Sequence, residues 1–392
     1  MIVVQRELPH ARASNEPSSV CDPRAGRCTS RGWDRIVKIA VIGAVLIAAI
    51  TLPNRLSTAS AGDGNSVETF LTDNFRLRPA ELKDLAEYRP ISRSLETFDA
   101  REIAALGAIR IRVPAAFYIE QLRDVVSFKK SESVPQIGAF GTPARLDDVR
   151  GLTLEASDLE ALGRCRPGSC GVQLSSGALR RFQQEVPWRT PDATAAANRI
   201  MREVLVEMVN AYRESGDAAL MTYVDAKQPV SVADEFRAMI ASRPSVLERY
   251  PLLHQHLLRF PRTAGTDVQD IIYWSKEQLG PRGVVSVTHL AIARVPDNAP
   301  SMFAVASRQI YGAHYFDASL GLTVLLRDET NHAPSSYLLY VNRSRLDALG
   351  GLLGGLKASI VRSRTRPAMS NSLIEARDRV EKRFRAEPPR PE

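Results

Sequence analysis

The run GVVSVTHLAIARV at residues 283–295 is rich in β-branched residues and follows a period of two, which is typical of a β-strand. Four other runs show the same strand-like pattern and lie at residues 270–279, 302–316, 320–328 and 336–346. Short turn signals such as PDNAP separate the five runs from one another. Successive strands joined by short turns must be antiparallel. The sequence therefore predicts an antiparallel sheet in this region.

An earlier segment predicts one more strand followed by a helix. In REIAALGAIRIRV (101–113), apolar residues alternate with Arg110 and Arg112, which indicates a strand with one solvated face. Pro114 ends this strand and begins a helix, whose apolar face comprises Tyr118, Ile119, Leu122, Val125 and Val126.

A last helix follows the five strand-like runs. Ser372 and Glu375 form a capping-box pattern that predicts its start. Its apolar stripe comprises Met369, Leu373, Ala376, Val380 and Phe384. Residues 385–392 then predict a disordered tail.

Between the early helix and the run at 270–279 lies a long stretch, about 131–269, that predicts a mostly helical insertion. It begins rich in Pro, Gly and Ser, and its clearest helix runs from about Asp192 to Ser215, where Gly216 ends it.

Two cysteines in RCRPGSC (164–170) are separated by a Pro-Gly turn that can bring Cys165 and Cys170 within bridging distance. In an oxidising compartment they should form a structural disulfide. A catalytic pair favours C-x-x-C, and a zinc site needs two further ligands that are not nearby.

The N-terminus predicts export. The uncharged run IAVIGAVLIAAITL (39–52) follows a segment with six arginines and precedes Ala59 and Ala61 at the spacing of a cleavage site. Residues 1–61 are therefore expected to be a signal peptide, and the rest periplasmic or secreted. An uncleaved membrane anchor is the alternative, and translation from near Val37 would give a shorter leader.

Taken together, residues 62–384 predict an α+β domain in which a curved antiparallel sheet grips a long C-terminal helix. This order resembles the START-like helix-grip superfamily of lipid-transfer domains, polyketide cyclases and pollen allergens. GAIRIRVPAAFYIEQLRDV (107–125) and the run 270–384 carry the resemblance, which covers about half of the exported chain. The insertion is longer than the family's usual helix pair, and LGGLLGGLKASIVRSR (349–364) precedes the last helix; either could be a lid or a subdomain.

The resemblance implies an apolar cavity between sheet and closing helix that holds a lipid or another hydrophobic small molecule. We expect a carrier or sensor; an enzyme acting in the same cavity or a structural protein of the cell envelope are the alternatives. The candidate cavity residues, each of which could instead be ordinary core, are Tyr273, Phe303, Tyr311, His314, Tyr315, Tyr340, Leu373 and Val380.

Catalytic evidence is weak. In a helix, His254 and His256 point apart, so a shared metal site is not expected. His289 and His314 could each be a general base, although a hydrogen-bonded structural histidine is commoner. No nucleophile, metal or cofactor motif stands out.

The charge pattern predicts few partners. Without residues 1–61 the chain has 44 basic and 40 acidic residues, a net charge of +4 that is mild for its size, and no basic stripe interleaved with aromatics supports nucleic-acid binding. The cluster Lys357, Arg362, Arg364 and Arg366 could contact an anionic membrane surface, while a solvated loop is the simpler interpretation.

Overall fold

A computed structural model describes residues 67–241, 246–263, 267–279, 282–295, 301–328, 334–346, 349 and 354–386, with side chains for all of these except 279, 301 and 354–365. All of them belong to one compact unit, residues 62–392. Within these ranges the fold is α+β, as predicted, with ten α-helices and an antiparallel sheet of eight strands.

The sheet has the strand order β1-β2-β10-β9-β8-β7-β6-β3, and a separate two-stranded ribbon joins β4 to β5. The five strand-like runs near the C-terminus form β6 to β10, an antiparallel meander, as their short turns predict. The strands are β1 Ile91–Leu95, β2 Glu102–Ile111, β3 Gln136–Ala139, β4 Thr222–Tyr223, β5 Val230–Ser231, β6 Val268–Leu279, β7 Arg282–Arg294, β8 Ser301–Gly312, β9 Phe316–Arg327 and β10 Ser336–Leu346.

The helices are α1 Val67–Phe75, α2 Pro79–Ala86, α3 Ala115–Arg123, α4 Val125–Lys129, α5 Ala156–Arg164, α6 Ser176–Glu185, α7 Ala193–Ser215, α8 Val232–Ala241, α9 Pro251–Arg259 and α10 Gly354–Ala386. Helix α7 has the predicted bounds to within one residue and ends at Gly216, whose φ of 59° lies in the left-handed region. Helices α5 to α9 all lie in the inserted stretch.

Helices cover both faces of the sheet. On one face, α3, α4 and α10 pack on apolar residues such as Ile109, Val305 and Leu338. The intervening residues of the same strands, such as Leu106 and Leu339, pack on the opposite face against α1, α8 and α9. Side chains alternate between the two faces along a strand, and both faces are covered by helices. Strand β2 is therefore buried along its whole length.

The prediction of a solvated face on the first strand is therefore wrong for Arg110, whereas Arg112, just beyond the end of β2, is exposed. Arg110 is buried: its Nε donates to Asp328 at 2.7 Å, and its guanidinium lies over the rings of Tyr88 and Tyr337. The alternation in the sequence is real, but an ion pair and two aromatic rings satisfy the arginine where we expected water.

The predicted start of the last helix is also wrong. Helix α10 begins at Gly354, passes through Pro367, and includes Ser372 and Glu375 as exposed positions within it. A capping box is a local pattern, whereas α10 already contacts β1 at Arg366 and Ser370, before the predicted start, and β2 at Leu373. The short strands β1 and β3 were not predicted, because four or five residues carry little periodic signal.

Candidate functional site

A cavity of about 550 Å³ lies between the sheet and α10. Its floor is formed by β6 to β10, and its walls by α3, α4 and the part of α10 between Ala368 and Arg379. Pockets that hold small molecules typically have volumes of roughly 300–1,000 Å³. The cavity is therefore large enough for such a ligand.

The floor is formed by alternate residues of the meander. They are Ser286, Thr288 and Leu290 of β7, Val305, Ser307 and Gln309 of β8, Ser319, Gly321 and Thr323 of β9, and Leu338, Tyr340, Asn342 and Ser344 of β10. In the antiparallel register, Ser344 lies opposite Ser319, and the next inward-facing residue of β10, Asn342, lies opposite Gly321. Hydroxyl and amide groups consequently gather at one end of the floor.

The polar end is hydrogen-bonded within itself. Ser319 and Ser344 hydroxyls lie 2.9 Å apart, and Ser344 donates to Asn342 Oδ1 at 2.9 Å. Gln309 Nε2 donates to Ser286 Oγ at 3.0 Å, while Gln309 Oε1 is buried without a partner. Whichever way the amide is turned, one of its two polar atoms has no hydrogen-bond partner among the described residues.

The other end of the cavity is apolar and is closed by helices. Its walls and floor there comprise Tyr118, Leu122, Val125, Phe128, Leu290, Val305, Leu338, Met369 and Leu373. Burial raises the pKa of Tyr118 to about 12, so this phenol stays neutral at physiological pH. Lys129 adds a cation at the wall, and its ammonium donates to the Tyr273 hydroxyl at 2.9 Å.

Gly321 shapes the floor. A Cβ at this position would lie 2.8 Å from the ring of Tyr340, a distance that real Cβ atoms do not adopt. The glycine therefore allows Tyr340 to lie across β9 and border the cavity.

The structure brings together three of the candidate cavity residues, Tyr273, Tyr340 and Leu373. Phe303 and Val380 belong to the same apolar cluster but are not among the lining residues.

The other three candidates lie elsewhere. Tyr311 lies in the core on the opposite face of the sheet, 6.2 Å from the ring of Tyr223. His314 Nε2 contacts Asp158 Oδ1 at 3.0 Å in a buried pair, which agrees with a structural histidine. Tyr315 has a φ of 70° and is 36% exposed.

The serine and threonine residues of the floor are functional candidates that the sequence did not single out. At alternate positions of amphipathic strands they resemble a solvated face. The contact that places α10 over them joins residues far apart in the chain, and no pattern within the strands specifies it.

A second cluster lies on the opposite face of the sheet. His256 Nε2 and His289 Nε2 contact the same oxygen of Asp270, Oδ1, at 2.7 and 2.8 Å. Burial opposes ionisation of Asp270, but hydrogen bonds from both histidines outweigh it and lower its pKa to about 2. The donor atoms of the three residues all lie within 4.8 Å of one another, so they could hold a metal ion.

The two histidines of α9 point apart, as predicted for a helix. His256 is buried against the sheet, while His254 is not part of the cluster. The sequence did not connect His256 with Asp270 and His289, because they lie on three different elements.

Cys165 and Cys170 lie at disulfide distance, with their Cα atoms 4.4 Å apart. Gly168 between them has a φ of 80°, which suits the turn, and its amide donates to Val224 O at 2.7 Å. Cys170 N donates to Asp225 O at 3.0 Å, so the loop is fixed to a neighbouring segment.

The basic cluster lies only partly within the described residues. Lys357, Arg362 and Arg364 belong to the backbone of α10, but their side chains lie outside the described ones; Arg366 is exposed. The leader, residues 1–61, and the tail from 387 also lie outside. Among the described helices, none has both the length and the apolar content that a membrane span requires.

No family model matches the chain, and no curated protein sequence matches it.

Proposed function

We propose that this protein is an exported carrier or sensor that binds an amphipathic small molecule between the sheet and α10. The observation that carries the proposal is the cavity of about 550 Å³, whose floor is polar at one end and apolar at the other. A ligand with an apolar body and a hydroxyl or amide group at one end matches this division.

The apolar part of such a ligand would contact the side chains of α3 and α4 and of Leu290 and Leu338. Transfer of apolar surface from water into such surroundings is favourable by about 25 cal/mol per Å². The polar group would meet the hydroxyl and amide side chains at the polar end of the floor, among them Ser307, Gln309 and Asn342. Binding would therefore satisfy both ends at once.

The START-like resemblance supports the same site. In that superfamily the sheet and the closing helix enclose the ligand, and here α10 contacts β1 and β2 while its residues 368–379 border the cavity. We propose that this arrangement is a helix grip. The polar floor makes a purely hydrocarbon ligand a poorer fit than an amphipathic one.

The alternatives predict different outcomes. The described residues that line the cavity include no His, Cys or Asp, so an enzyme would have to use Lys129, a glutamate or a hydroxyl group. Turnover of a bound molecule would identify an enzyme. A structural protein would bind no small molecule in this cavity.

The test is native mass spectrometry of the full chain purified from an oxidising compartment, followed by solvent extraction and identification of any bound species. Anilinonaphthalene sulfonate, which has an apolar body and one anionic group, is the probe for displacement. We expect an amphipathic molecule to be retained and to compete with this probe. A chain that carries nothing and binds no probe would contradict the proposal.

Two variants locate the binding. Ser307→Phe places a ring in the cavity and should abolish probe binding, since this side chain lies on the floor between Leu290 and Gly321. Gln309→Ala should weaken a ligand that hydrogen-bonds there by about tenfold. Gln184→Ala, at an exposed position of α6, is the matched control and should leave binding unchanged.

Export is tested separately. Residues 1–61 fused to alkaline phosphatase should deliver activity outside the cytoplasm. Ala59→Arg should prevent cleavage if the segment is a signal peptide, which changes the size of the product. An inactive fusion would contradict export, and an active fusion that is never cleaved would favour the anchor.

A further inference from the structure

We propose that His256, Asp270 and His289 form a binding site for a divalent transition-metal ion, of which Zn²⁺ is the best match. The site lies on the face of the sheet opposite the cavity, between β6, β7 and α9, and is independent of the proposed ligand. Two imidazoles and one carboxylate are a common ligand set for such ions.

Two of the three distances between ligand atoms are close to those that an ion needs, and the third is at most 4.8 Å. Zn²⁺ binds imidazole nitrogen and carboxylate oxygen at about 2.0–2.2 Å, so tetrahedral ligand atoms lie about 3.3 Å apart. Here each Nε2 lies 2.7 or 2.8 Å from Asp270 Oδ1. A shift of the carboxylate by about half an ångström would bring both of these distances to the tetrahedral value.

The second ring nitrogen of each histidine, Nδ1, already has a hydrogen-bond partner. Tyr212 OH lies 2.9 Å from His289 Nδ1, and Thr263 Oγ1 lies 3.1 Å from His256 Nδ1. Metal-binding histidines use the other ring nitrogen in this way, which fixes their orientation. Without the ion, each Nε2–H donates to Asp270; with it, the proton resides on Nδ1 and donates to the hydroxyl oxygen.

Burial of the two histidines limits the access of solvent to the proposed ion site. The two imidazoles are 1% and 0% exposed, whereas the Asp270 side chain is 23% exposed. Among these three described side chains, the carboxylate is therefore the one that solvent reaches, and solvent there would complete the coordination. The nearby cation Arg308 is paired with Asp217 at 2.7 Å, which reduces its repulsion of the ion.

The site would have a structural consequence. His256 lies on α9 of the inserted region, while Asp270 and His289 lie on neighbouring strands of the sheet. An ion bound by all three would fix α9 to the sheet. It would also stabilise the folded chain, because the unfolded chain does not hold the three ligands together.

The test uses the full chain, stripped with EDTA, dialysed, and titrated with Zn²⁺, with elemental analysis and thermal unfolding as readouts. We expect about one ion per chain and a higher Tm with Zn²⁺ present. Substitution with Co²⁺ should give the absorption of a low-coordinate site.

Asp270→Asn is the decisive variant. The asparagine Oδ1 can still accept both Nε2–H bonds, so the fold is kept, but it lacks the negative charge that an ion requires. We expect Zn²⁺ affinity to fall at least 100-fold, and His289→Gln to act similarly; Tyr212→Phe, which removes an outer partner, should cost about tenfold.

The matched control is His314→Gln, which alters another buried histidine-aspartate pair outside the cluster and should leave Zn²⁺ binding unchanged. Absence of stoichiometric binding by the unaltered chain would overturn the proposal. Binding that survives both Asp270→Asn and His289→Gln would overturn it as well, since the ion would then lie elsewhere.

Discussion

Gly107 of β2 and Leu373 of α10 lie in such close contact that a Cβ added to the glycine would be 2.7 Å from Leu373 Cδ1 and 2.8 Å from Met369 Cγ. The absence of a side chain at Gly107 thus determines how closely the helix approaches the sheet, and with it the depth of the cavity beside them.

Gly107→Ala should destabilise the protein by about 1–3 kcal/mol, because α10 or its side chains must move outward. The free energy of unfolding in urea measures this. Leu373→Ala alone removes buried apolar surface and costs about 2–5 kcal/mol, but the double variant should cost less than the sum. Gly151→Ala is the control, since its Cβ would meet only Trp274 at 4.0 Å. If the losses of unfolding free energy of the two single variants simply add, the contact between Gly107 and Leu373 does not limit how closely α10 approaches the sheet.

Removal of the disulfide by the double change Cys165→Ser and Cys170→Ser should lower the free energy of unfolding by about 1–3 kcal/mol, because the loop is short. The folded state should persist, since hydrogen bonds to residues 224 and 225 hold the loop independently. Thermal unfolding with and without reductant measures this. Reductant should affect only the unaltered chain, and an equal effect on both would contradict the assignment.

Alkaline pH should weaken the fold through Tyr118. Its pKa is about 12 when buried and near 10 when unfolded, so the folded chain binds the extra proton between these values. Stability from this group is complete below pH 10 and is lost as the pH rises toward 12. The slope of the unfolding free energy against pH reports how many more protons the folded chain binds than the unfolded chain. Tyr118→Phe should reduce this number by about one in that window. An unchanged slope would show that this phenol ionises without unfolding.

Breaking the buried ion pair Arg110–Asp328 should lower the free energy of unfolding far more than breaking an exposed ion pair. Arg110→Met leaves Asp328, whose side chain is 0% exposed, without its cation and should cost about 3–5 kcal/mol. The double change with Asp328→Leu should recover part of this loss. Arg164→Met, which breaks the exposed pair with Glu160, should change stability by less than about 1 kcal/mol. Chemical denaturation of the variants gives the comparison, and equal losses would refute the distinction.

The candidate site was predictable only in part. Tyr273, Tyr340 and Leu373 could be proposed from a strand pattern and a helix pattern, since each pattern specifies which side chains share a face. Tyr311 and His314 lie near the same turn of the meander, yet the structure places them away from the cavity. The bulge between Val287 and Thr288 shifts the register of β7 against β8 there, and a period of two does not reveal it.

The His256, Asp270 and His289 cluster illustrates the same limit. Each histidine was noticed in the sequence, but their distance depends on how α9 packs against β6 and β7.

The sequence by itself determined the local elements: the five-stranded meander, the strand and helix on either side of Pro114, the helix ended by Gly216, and the cysteine turn. These depend on periodicity and on the conformational preferences of proline and glycine, which act over a few residues. The tertiary structure alone decided that both faces of the sheet are covered, that α10 begins at Gly354, and that a polar strand face lines a cavity. Those features depend on contacts between residues far apart in the chain, where burial and pairing outweigh local preference.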